Sequence, residues 1–143
     1  MKFHLALFVV VAMIFASCSK SNYTSEVAVN DIPDTSMAKV LYSAGFEDGP
    51  FGHVTGTVEL LEDSISHQFS LALVNFNTSN GPDLHVYLSQ ESHPIHFIEL
   101  GRLKSTSGDQ VYQIKGNPDF KKYSYALIHC EKFNHVFGVA QLR

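Results

Sequence analysis

Cysteine is scarce in this chain of 143 residues: there are two, Cys18 and Cys130. No Cys-x-x-Cys redox or zinc motif can be built from them, and the lack of Cys-x-x-Cys-His excludes covalent c-type haem. Helical bilayer spans are also lacking. The apolar run Leu5 to Phe15 is about 11 residues long, against the roughly 20 that a spanning helix needs. Positive charge is thin, with 10 Lys+Arg against 14 Asp+Glu and a net charge of −4, and it forms no basic cluster, which argues against a nucleic-acid partner. A nucleophile elbow, a phosphate loop and a His-x-x-x-His pair are absent too, so enzymatic readings have little support. A paired-carboxylate hydrolase would need a second acid facing the same cleft as the first.

What is present begins with a targeting pattern. Lys2, the apolar run and the small residues Ala16-Ser17 before Cys18 read as a signal segment, residues 1–17, that is removed rather than folded. The tetrapeptide Phe15-Ala16-Ser17-Cys18 resembles the bacterial lipobox, although Phe replaces the usual Leu or Val at its first position. The expectation is that Cys18 carries lipid and anchors the chain to a membrane surface, each buried CH₂ contributing about 0.8 kcal/mol. Ser19 and Lys20 carry no aspartate retention mark, so the periplasmic face of the outer membrane is the expected location if two membranes are present. With Cys18 acylated, Cys130 has no partner for an internal disulfide.

The remainder suffices for one domain. Residues 18–37 are polar and read as a tether, and the domain is expected over 38–143. Period-two patterning dominates it: Val54, Gly56, Val58 and Leu60 alternate with polar residues, and Leu84, Val86 and Leu88 alternate with Asp83, His85 and Tyr87. Phe69 to Val74 reads as a strand buried on both sides. Further strands are expected at Ile95–Leu100, Gln110–Lys115, Tyr123–Cys130 and His135–Leu142. The one possible helix is short, around Ser36–Ser43. Seven strands with turns about every ten residues predict an all-β fold, an antiparallel sandwich or distorted barrel.

Several strings occur together in this domain: His53-Val54-Thr55-Gly56-Thr57-Val58, Gly81-Pro82-Asp83-Leu84-His85-Val86-Tyr87-Leu88 after Phe76, Gly101-Arg102-Leu103-Lys104, Gly108-Asp109-Gln110-Val111-Tyr112-Gln113-Ile114, and Ile128-His129-Cys130-Glu131-Lys132-Phe133. Their order and spacing, from about Gly45 to Leu142, resemble the DM-thirteen domain, the electron-transfer module of Skeletor-type proteins. The family often places Trp before its cysteine. This chain has His129 there and no Trp at all. The resemblance implies an all-β extracytoplasmic domain with a redox role for the cysteine matching Cys130.

On strand geometry, Ala126, Ile128 and Cys130 share one face and Tyr125, Leu127 and His129 the other, so the thiol is either a small core residue or an accessible rim group. Lys132 and His129 would favour its thiolate if close, while burial and Glu131 would oppose it. A lone thiol needs another sulfur for two-electron exchange, and one-electron transfer needs a cofactor. Haem held by a thiolate or histidine stays open. A blue-copper set of His85, Cys130, His135 and Gln141 meets a layout objection, because Val136, Gly138, Ala140 and Leu142 alternate as a strand through the would-be ligand loop. The histidines lack close ligand spacing, so no metal site is expected. Asp83, after Gly81-Pro82, reads as a turn residue capping backbone N–H groups. Two functions are therefore carried forward. In the first, a membrane-anchored redox module works through Cys130, with His129, His53, His85 and Tyr87 as contacts for a cofactor or a protein partner. In the second, a non-redox binding or structural domain uses the face around His53, His85 and Tyr87, and Cys130 is packing.

Overall fold

The computed structural model describes residues 23–31 and 36–143, so the signal segment, Cys18 and the start of the tether lie outside the described residues. Ten strands follow in chain order: β1 (Val29–Asn30), β2 (Ala38–Gly45), β3 (Glu47–Asp48), β4 (Val54–Asp63), β5 (Phe69–Thr78), β6 (Leu84–Ser89), β7 (Phe97–Arg102), β8 (Ser107–Ile114), β9 (Tyr125–Cys130) and β10 (His135–Gln141). They form two five-stranded sheets, β1-β8-β5-β4-β2 and β3-β10-β9-β6-β7. All pairs are antiparallel except β1 with β8. The sheets are not closed into a barrel. They make a sandwich whose core joins Val58, Leu60, Leu71, Leu73 and Phe76 of the first sheet to Leu84, Val86, Leu88, Ala126, Ile128 and Cys130 of the second.

The alternation seen in sequence carries through to this core, with corrections at the start of the domain. The segment around Ser36–Ser43 is not helical: Ala38–Gly45 is β2, paired along β4 from Ala38↔Asp63 to Gly45↔Thr57. A helix of eight residues is marginal in water, whereas the chain here pairs along the long β4, with one irregularity between Val40 and Tyr42, and lays Leu41, Tyr42 and Ala44 against the core. The polar stretch read as a tether is likewise structured in part. Val29 and Asn30 pair with Gly108 and Asp109, Thr106 N–H donates to Ser25 O at 2.8 Å, and Ser105 Oγ donates to Val27 O at 2.6 Å. These bonds use backbone and small polar groups, which leave no hydrophobic periodicity in sequence. Gly108 makes the approach possible, since its φ is +96° and a Cβ there would lie 1.8 Å from Val29 O.

The β4–β5 turn is held by Asp63, whose Oδ1 accepts from Ser66 N at 2.6 Å, Ile65 N at 2.9 Å and Ser66 Oγ at 2.9 Å. These bonds, the Ser66 backbone N–H first, hold the carboxyl below its usual range. A depressed folded-state value means that the stabilisation is present above the unfolded value of about 3.9 and is lost as pH falls through the folded one. Asp63→Ala is therefore expected to lower the melting temperature at pH 7, with the gap to the parent narrowing as pH falls below about 3.9; a gap that stays constant would remove the carboxylate from this role.

Candidate functional site: the outer face of the second sheet

Strand alternation sends Leu84, Val86 and Leu88 of β6 into the core and His85, Tyr87 and Ser89 to the opposite face. On β9, Ala126, Ile128 and Cys130 go inward, and Leu127 and His129 join the outer face. His85 lies directly across from His129 in the register, so their Cβ atoms are about 5 Å apart. This face would ordinarily be wet, yet Tyr87, Leu127 and His129 are each less than 5 % exposed. The cover comes from neighbouring segments. Phe97 stacks on Tyr87 with centroids 4.3 Å apart, and Ser89 Oγ donates to the carbonyls of His93 and His96 at 3.2 Å, fixing the β6–β7 loop.

Charge gathers at one end of this face. His85 Nδ1 is 2.7 Å from Glu99 Oε1 and 3.5 Å from Glu131 Oε1, while Nε2 is 3.1 Å from Asp83 Oδ1. Arg102 pairs with the same Asp83 oxygen. Tyr87 Oη donates to Glu131 Oε1 at 2.6 Å. Burial, then this bond and the charges of Glu131, Glu99 and Asp83, push the Tyr87 phenol far above its ordinary range, so it stays a neutral donor. His129 is displaced the other way, mainly because burial disfavours its charged form. Its Nε2 lies 3.1 Å from Asn134 Oδ1, and its buried Nδ1 has no partner among the described residues. Beside the β9–β10 turn, Phe51 stacks face to face on His135 at 3.6 Å, and a groove of about 260 Å³ is lined by Pro50, Phe51, Pro94, Ile95, Asn134 and Val136.

The residues singled out in sequence thus divide three ways. His85, Tyr87 and His129 come together on the outer face. His53 stands apart on the β3–β4 connection, exposed and bonded through Nδ1 to Asp48 Oδ2 at 2.8 Å. Cys130 is fully buried in the core, on the side of the sheet away from His129. The same partition separates His85 from Cys130, two members of the would-be copper set. Asp83 corrects its sequence reading: its carboxylate is engaged by the Arg102 and His85 side chains rather than by turn N–H groups, and it is the Asp83 carbonyl that accepts from Glu131 N–H. Glu99, Arg102 and Glu131 went unrecognised as site residues. Each sits at a strand or turn position where a charged residue is unremarkable, and only the β6–β7 and β6–β9 registers bring them around His85.

Fold and face together define a two-sheet β-sandwich module that carries a partly covered cluster of histidine, carboxylate and arginine side chains on one sheet. The chain belongs to the family described as Electron transfer DM13, whose profile matches residues 46–142, more than half of the sequence. No curated protein and no solved structure matches the chain.

Proposed function

We propose that the chain is an electron-transfer module of the cell envelope, held to a membrane by lipid on Cys18 and serving a redox partner protein at the periplasmic face of an outer membrane. The observation that carries the redox part is the family match across residues 46–142. The anchoring part rests on the lipobox-like Phe15-Ala16-Ser17-Cys18.

Two roles for Cys130 follow, and its burial supports the second. In the first, the thiol is the redox group. It then needs a sulfur from outside the chain or a bound centre such as haem, and the end of β9 must open to expose it. In the second, Cys130 is packing, and the outer face with His85, Tyr87 and His129 binds a partner or ligand, any electron exchange then needing a cofactor held there. Cys130→Ser separates them. Seated among Leu84, Ile128 and their neighbours, an unpaired hydroxyl costs roughly 1–3 kcal/mol. The packing role predicts that loss in urea unfolding with electron exchange retained, read by voltammetry of the full chain isolated from membranes. Exchange abolished at unchanged stability would return the redox role to the thiol. A full chain that is electrochemically silent after haem reconstitution would leave a non-redox binding module.

A further inference from the structure

Both nitrogens of His85 face carboxylate oxygens, Asp83 at 3.1 Å from Nε2 and Glu99 at 2.7 Å from Nδ1. A neutral imidazole has one N–H and one lone pair, so it satisfies one of these oxygens and turns a lone pair on the other. The conflict is resolved by a second proton or by a cation that takes the lone pair. Asp83, His85 and Glu131 each offer a ligand atom, and all three atoms lie within 4.8 Å of one another, a separation that side-chain rotation can close around an ion. The formal balance also fits. With neutral His85, the carboxylates of Asp83, Glu99 and Glu131 carry three negative charges and Arg102, paired with Asp83, offsets one of them, which among the described residues leaves two for a divalent ion. The Tyr87 hydroxyl, bonded to Glu131 Oε1, and the Arg102 guanidinium, bonded to Asp83 Oδ1, would fix the positions of those carboxylates.

A second observation is independent of these carboxylates. His129, His85's cross-strand partner, is 4 % exposed and keeps a buried Nδ1 without a partner among the described residues. With Asn134 Oδ1 as the acceptor at Nε2, the tautomer that makes this bond carries its proton on Nε2 and leaves the Nδ1 lone pair bare. A bare lone pair in a buried site is costly to maintain unless something binds it. We infer that Asp83, His85 and Glu131 form a binding site for a divalent first-row transition-metal ion, with His129 across from His85 in the β6–β9 register beside it. The mixture of imidazole and carboxylate selects such an ion over Mg²⁺ or Ca²⁺, which prefer all-oxygen shells. The site stands apart from the electron-transfer reading, because a redox-inert ion would occupy it equally.

The test uses the full chain in detergent, without a polyhistidine tag, stripped with chelator and titrated at pH 7.5 with Zn²⁺ by calorimetry and with Co²⁺ by visible absorption. The expected result is one ion per chain, with Co²⁺ bands showing nitrogen and oxygen ligation. Glu131→Gln and Asp83→Asn are each expected to weaken binding by about tenfold or more, the scale on which metal sites respond to altered ligand surroundings. Removal of three of the exposed histidines, His53, His67 and His96, together should leave it unchanged. If Asp83→Asn fails to fold, Glu131→Gln, whose side chain is exposed, carries the comparison alone. Absence of saturable Zn²⁺ binding, equal affinity in the cluster variants, or binding lost only with the three exposed histidines would each overturn the assignment. Undiminished binding by a chain lacking all electrochemical response would remove the redox reading and leave the metal site standing.

Discussion

Alkylation of Cys130 in the native chain is expected to run about a thousandfold or more slower than in the urea-unfolded chain, with the site read by peptide mass so that no other thiol contributes. The thiol is fully buried and packs in the cluster that contains Leu84, Ile128 and Phe137. A reagent must wait for an opening of β9. Openings of core strands approach the global stability of roughly 5–15 kcal/mol, and each 1.4 kcal/mol is a factor of ten in the open population. Even a partial opening of about 4 kcal/mol yields the thousandfold protection. A native rate within tenfold of the unfolded one would mean that the end of β9 is open to solvent much of the time, and the thiol-based redox role would gain what the packing role lost. A protected thiol confines redox chemistry at sulfur to a partner able to open the sheet.

The same strand shows how far the sequence was readable. Alternation put Leu84 and Val86 on one face of β6 and Ala126, Ile128 and Cys130 on one face of β9, and the core contains both sets. It left open whether the strand end lay inside or at the rim, because that depends on what stands opposite, and the opposing groups come from other strands. His85 and Tyr87 were legible as residues on the polar face of a strand. Their burial was not, since Phe97 and the β6–β7 loop that cover the face are remote in local pattern. The cluster around His85 was illegible for a related reason: Asp83, Glu99 and Glu131 are brought together by register across β7, β6 and β9, while metal spacing in sequence reveals only ligands that share an element. At the domain's start, β1 and β2 were missed because one pairs through polar backbone contacts and the other carries few fully buried side chains.

Gly56→Ala is expected to destabilise the fold by about 3 kcal/mol or more, combining positive-φ strain of roughly 1–3 kcal/mol with an overpacking cost of similar size. Gly56 has φ +108°, and a Cβ built there meets Val74 O, Asn75 O and Phe76 Cα, each at 2.8 Å. All three are backbone atoms, so no rotamer change relieves the clash. The position lies where the β4–β5 register shifts between Thr55 and Thr57, opposite the irregular stretch in which Asn75 itself takes φ 49°. That irregularity turns Phe76 inward, where its ring meets Phe46 edge-on at 5.7 Å and fills the end of the core. Relieving the alanine would require β5 to withdraw, carrying Phe76 with it and weakening the seam through which β5 supports β8 and, beyond it, the amino-terminal strand. Gly45→Ala is the matched control, because its Cβ would meet nothing within 4 Å and its backbone is free of the positive-φ restriction. Urea melts should place Gly45→Ala within about 0.5 kcal/mol of the parent, as for ordinary surface substitutions. Equal stability of the two variants would mean that the paired irregularities in β4 and β5 adapt freely and do not set the position of Phe76.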